Sequence, residues 1–257
     1  MTSFPAAAPL RWATRFPVTL GYVVALAAVA FLQRRLSSVG DEELVASAST
    51  NLRNLAEGRL QTLLESAFVT QEDPGKVWVW LPGLACLLAL GELLWRSRRL
   101  AGAIVLGHVG GTVIVALGLV VALRLGWVEG SVADEADVGV SYAAMGVIGA
   151  LVGALPRALR LPWAAWWLVV ASVALWFDRD FTSAGHLVSL VLGLAVGAWL
   201  ARGDGARWTP VPLCLAAGAF AFGFGVLVDG FGAHSAAALL GGVSAAGLAW
   251  GVAAATA

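Results

Sequence analysis

Residues 100–125 read LAGAIVLGHVGGTVIVALGLVVALRL, a run whose only charge is Arg124 and whose only histidine is His108. Crossing ~30 Å of hydrocarbon takes roughly 20 mostly apolar residues, so this run is long enough to span a bilayer as a helix. The same ruler finds runs near 16–32, 77–95, 138–155, 162–177, 183–201, 211–229 and 233–254. About eight helices follow, and the expected fold class is an all-α polytopic transmembrane bundle. The segment 162–177 is short enough to be tilted, kinked or partly re-entrant. The run behind Arg11 and Arg15 reads as a retained first helix in preference to a cleaved leader.

Composition agrees with the runs. The chain is 60% hydrophobic and 12% charged, where a soluble domain is nearer ~25% charged. Its net charge is zero, so bulk charge points to no nucleic-acid partner. Cys86 and Cys214 lie inside apolar runs and read as packing residues, with no disulfide framework.

Loop charges set the expected orientation, because Lys and Arg collect on the cytoplasmic side of short loops. One face carries Arg11 and Arg15, then Arg96, Arg98 and Arg99, then Arg157 and Arg160, then Arg202 and Arg207. The other carries Glu129, Asp134, Glu135 and Asp137, then Asp178, Arg179 and Asp180, then Asp229. Both termini are therefore expected in the cytoplasm, with residues 1–15 as a cytoplasmic segment and a bacterial plasma membrane as the setting. The longest connection, 33–76, falls outside. Within it Leu52, Leu55, Leu60, Leu63, Leu64 and Phe68 recur at helical spacing and predict an amphipathic helix lying at the interface or against the bundle.

Glycines four apart, such as Gly107 and Gly111, Gly149 and Gly153, or Gly193 and Gly197, allow close helix approach. Trp78, Trp80, Trp163, Trp166 and Trp167 read as interfacial belt residues.

Polar side chains within hydrocarbon are costly and so become functional candidates: Ser141, His186, His108, Ser189 and His234. Ser141 and His186 each follow an acidic external loop by a few residues, which places both at shallow depth below the same face. A serine hydroxyl becomes a nucleophile when a base takes its proton, and histidine can then return that proton to a leaving amine. Gly139 would leave room for a substrate backbone, while Gly146, Gly149 and Gly193 would bring the two helices close. His108 is expected nearer the bilayer middle in an interhelical hydrogen bond. His234, at the start of the last run, is a competing base.

Gly139-Val140-Ser141 with Gly146 and Gly149 resembles the GxSx motif and trailing glycines in the fourth helix of rhomboid intramembrane serine proteases. Ala184-Gly185-His186 with Gly193 and Gly197 is similar to that family's sixth-helix pattern. Arg59-Leu60-Gln61-Thr62 with Ala67-Phe68 resembles its arginine-containing external loop. The resemblance covers residues 16–201 as a six-helix core, leaving 202–257 as an additional hairpin. It implies proteolysis of transmembrane proteins near the outer bilayer face, with Ser141 as nucleophile and His186 as base, and needs no metal and no organic cofactor.

Three departures are visible. The family's histidine and asparagine at the start of the second helix, which stabilise the oxyanion, are replaced by Lys76-Val77-Trp78-Val79-Trp80. That leaves an oxyanion region of Gly139, Tyr142, Lys76 and Trp80, with the Ser141 backbone N–H as donor. Tyr142 and Ser189 stand where small residues are usual and are expected to crowd the pair. The alternative is a catalytically inactive rhomboid-like protein that binds client transmembrane helices in the lipid bilayer; a small-solute transporter or channel is a third reading. The oligomeric state is not legible.

Overall fold

A computed structural model describes residues 15–71, 73–201, 208–228 and 233–255. Arg11, Arg202, Arg207 and Asp229 lie outside the described residues. Among those described the chain is helical and without strands. α1 is Pro17–Gln33. The 33–76 connection holds α2 (Ser38–Ala48), α3 (Leu52–Ala56) and α4 (Thr62–Glu65). α5 (Val77–Trp95) and α6 (Ser97–Arg124) follow, then the short α7 (Ser141–Ala154), α8 (Arg157–Asp178), α9 (Phe181–Leu200), α10 (Pro210–Leu227) and α11 (Ala233–Ala255).

α5, α6 and α8 to α11 are each long and apolar enough to cross a membrane, while α1 and α7 are shorter apolar helices. The protein is an integral multi-pass membrane bundle. Residues 157–178 form one continuous span with Pro162 inside it, so the short apolar run there is a full-length helix.

α7 is the centre. Tyr142 to Ala150 are all buried, and a helix apolar on every side belongs inside a bundle. At 1.5 Å per residue its length is roughly 21 Å, shorter than the hydrocarbon core, so one of its ends is recessed. Packing around it is backbone-close. A side chain on Gly146 would strike the Cα of Gly107 in α6 at 2.5 Å, and one on Gly193 would meet the Gly146 carbonyl. Gly149 lies against α9 at Leu190, and Gly197 against Ala150. Such close approach lets dispersion and interhelical polar contacts hold helices that gain nothing from burial away from water.

Glu92, near the end of α5, is buried and ties three helices together. Its carboxylate accepts the N–H groups of Val18 (3.1 Å) and Thr19 (2.9 Å), the Thr19 hydroxyl (2.7 Å) and the Ser97 hydroxyl (2.6 Å). These bonds satisfy the first turn of α1, whose N–H groups have no partners within the helix.

The 33–76 connection departs from the expectation of one amphipathic helix. Gly58 takes φ +78° and breaks the leucine pattern into α3 and α4, while Ser37 caps a further helix, α2. Leu52, Leu55, Leu60 and Leu63 still share a side, facing Val113, Leu117 and Leu123 of α6. Arg59 fastens the segment through Asn54 Oδ1 (2.8 Å) and the Ser47 carbonyl (2.7 Å).

Two of the tryptophans also depart from expectation. Trp78 is exposed, but Trp166 and Trp167 are buried and pack with Phe220, at ring centroid distances of 5.0 Å in both cases. They belong to the core between α8 and α10. Cys86 and Cys214 are free thiols.

Candidate active site

The loop into α7 is hydrogen-bonded to the 33–76 connection. Asp137 N–H donates to Ser49 Oγ (2.8 Å), and the Asp137 carbonyl accepts the Thr50 N–H (3.0 Å) and the Thr50 hydroxyl (3.0 Å). Gly139 N–H donates to the Ser66 carbonyl at 2.7 Å, and Gly139 adopts φ +122°, a conformation that L side chains rarely reach. Ser141 is the first residue of α7, which begins with no side-chain cap. Its opening N–H groups therefore concentrate partial positive charge beside the serine.

α9 is fixed at the same end. Asp180 caps it by accepting the Ser183 N–H (2.7 Å), and Ser183 Oγ donates to Asp178 (3.0 Å). Thr182 and His186, four apart, then fall on one helical face.

Ser141, His186, Thr182, Gly139 and Trp80 line a single cavity of about 660 Å³. Thr70 and Gln71 reach it from the 33–76 connection, and α5 and α10 complete its walls. The lining is mostly apolar. His186 is buried and its Nε2 has no hydrogen-bond partner; no hydrogen bond joins it to Ser141. A buried ring nitrogen without a hydrogen-bond partner costs free energy.

Other sequence candidates fall elsewhere. Tyr142 is not on the cavity wall: it lies behind His186, edge-on at 5.6 Å between ring centroids, with its hydroxyl near Asp137 and Thr182 but unbonded. Lys76 is exposed at the start of α5 and does not line the cavity. Ser189 points to α6, donating to the Gly107 carbonyl at 2.9 Å, and does not line the cavity either. His234 lies against Phe177 at 6.0 Å, away from the cavity lining. His108 sits in a π-helical turn, Leu106–Gly110, with its Nε2 3.0 Å from Ser66 Oγ, so the bond it makes runs to the 33–76 connection and not to another span. Such turns are frequent at functional sites.

Asp137 lies outside the spans, and burial pushes its carboxyl up to about 6, against the opposing hydrogen bond from Thr50 and the nearby Tyr142 hydroxyl. Sequence reading missed Thr182, Gly83 and Phe222 on the cavity. Glycine in an apolar run was the only signal for Gly83, and Phe222 had none.

A family model described as rhomboid-like protein matches residues 11–207. Comparison with curated proteins and with solved structures gives no match.

Proposed function

The chain belongs to the rhomboid-like protein family, and we propose that it is an intramembrane serine protease that hydrolyses membrane-anchored proteins near the outer bilayer face. The observation that carries this reading is the shared cavity of Ser141 and His186 at the acidic end of the bundle. In the proposed reaction His186 Nε2 takes the proton of Ser141 Oγ as that oxygen attacks a peptide carbonyl. The tetrahedral oxyanion forms beside the uncapped N–H groups opening α7. The histidine then protonates the leaving amine, and water, activated by the same nitrogen, releases the acyl group from Ser141. The serine–histidine hydrogen bond is absent without substrate, and active-site hydrogen bonds of this kind often form only with substrate present.

The reading places the arginine-rich end in the cytoplasm of a bacterial plasma membrane, with transmembrane proteins as substrates. A second reading, a rhomboid-like protein that binds transmembrane helices without cutting them, is favoured by the open serine–histidine contact and by Lys76 lying off the cavity. A fluorophosphonate probe on purified protein separates the two. Labelling that disappears in both Ser141→Ala and His186→Ala supports the protease; no labelling of the folded, unaltered chain supports the binder.

A further inference from the structure

α10 begins at Pro210, beyond residue 207 where the family match ends, yet it forms one wall of the cavity that holds Ser141 and His186. Gly218, Ala221, Phe222, Gly225 and Val226 line it, at the three-and-four spacing of one helical face. Three of these residues are small. Phe222 is the large one, and it is buried at 7% exposure.

The wall is docked tightly. A side chain on Gly83 of α5 would meet Phe222 Cβ at 2.6 Å, so the absence of one is what admits the phenylalanine. The Phe222 ring leans on Trp80, with centroids 6.1 Å apart and planes at 36°. Gly218 approaches Cys86 of α5 with room for no Cβ, and on the far side Gly223 lies against Ile148 of α7 and Trp167 of α8. α10 is thus wedged among α5, α7 and α8, and the small residues on its cavity face leave open the space that Phe222 narrows.

We infer that α10 is a specificity element built into this chain's site, with Phe222 setting the size of group that reaches Ser141. A group that enters the cavity between α5 and α10 must fit past Phe222 and Trp80 or shift α10. The inference rests on the proposed function for its catalytic meaning; control of access by α10 is a physical property that can be measured without catalysis.

The test places a thiol at the serine position, Ser141→Cys, in a Cys86→Ala, Cys214→Ala background. Modification rates are compared for methyl methanethiosulfonate and a bulky fluorescein maleimide. Phe222→Ala is expected to raise the bulky-to-small rate ratio on the order of tenfold, the discrimination typical of a hydrophobic pocket wall, and Gly225→Leu to lower it. Phe222→Leu gives an intermediate ratio and guards against collapse of the alanine variant, while Leu213→Ala, exposed on α10 and off the cavity, leaves the ratio alone. Equal ratios in the unaltered, Phe222→Leu and Gly225→Leu backgrounds would overturn the inference. Fluorophosphonate labelling of the native serine is read in parallel. Silence there with a changed thiol ratio removes the protease reading alone; labelling with an unchanged ratio removes the role of α10 alone.

Discussion

The phenol ring of Tyr142 and the backbone of Gly185 occupy adjoining space so tightly that a Cβ on Gly185 would overlap the ring's Cζ and hydroxyl. The tyrosine that sequence reading expects to crowd the serine is therefore accommodated by the glycine beside the histidine. Gly185→Ala is expected to destabilise the protein by about 1–3 kcal/mol, as overpacking does, and to displace His186 next to it. Tyr142→Phe should be neutral or slightly stabilising, since the hydroxyl it removes is buried without a hydrogen bond. Thermal unfolding in detergent measures both. If Tyr142→Ala in the Gly185→Ala background restores stability, the two effects are non-additive, as expected for residues in contact.

Glu92 is the acceptor of four hydrogen bonds that join α1, α5 and α6 at the arginine-rich end. Glu92→Ala leaves the α1 N–H groups and two hydroxyls without their partner, and a loss on the order of 2–3 kcal/mol is expected, because bonds to a charged group are stronger than average. Glu92→Gln should retain part of it. An unfolding midpoint unchanged in the alanine variant would show that these bonds contribute little.

Much of the bundle is legible because its signal is local. Each apolar run is long enough to count, and the alternation of arginine-rich and acidic connections orders the ends, which is how Ser141 and His186 can be put at one depth before any packing is known. What the runs do not state is which helix neighbours which. Nothing in residues 210–227 says that Phe222 meets Gly83, a pairing that depends on how α10 is seated among three other helices. The same gap explains the tryptophans: an indole near the end of a hydropathy run reads as interfacial, whereas Trp167 is covered by the α10 that packs over it. In the 33–76 connection a periodic leucine pattern is real, but one glycine with positive φ outweighs it at Gly58.

Asp137 gives a pH dependence with a definite sign. Burial raises its folded-state carboxyl from the ordinary 3.8 to about 6, so between those values the folded protein holds more protons than the unfolded chain. Stability then falls as pH rises through that window and levels off above it. Asp137→Asn, which keeps an acceptor for the Thr50 hydroxyl, should flatten the curve between pH 4 and about 6. Unfolding midpoints of the two proteins across that range decide it; identical slopes would assign the pH dependence to other groups.

His108 and Ser66 are expected to govern the loop that carries Ser141. Ser66 is fully buried; its hydroxyl is paired with His108 Nε2 while its carbonyl accepts the Gly139 N–H, so one residue links the π-helical turn of α6 to the backbone two positions before the serine. His108→Leu removes the polar anchor and leaves Ser66 to find another, which should loosen the segment without unfolding the bundle, since local opening draws on the least-packed elements. Hydrogen exchange followed by mass spectrometry should show faster exchange in the peptide spanning 133–145, by on the order of tenfold, the change that follows from losing a bond of about 1.4 kcal/mol. Peptides from α9 should be unchanged. His108→Gln, whose amide can replace the Nε2 contact, should restore protection. Uniformly faster exchange across α7 and α9 would instead mark His108 as a general packing residue, and no change at 133–145 would show that the Gly139 bond holds the loop unaided.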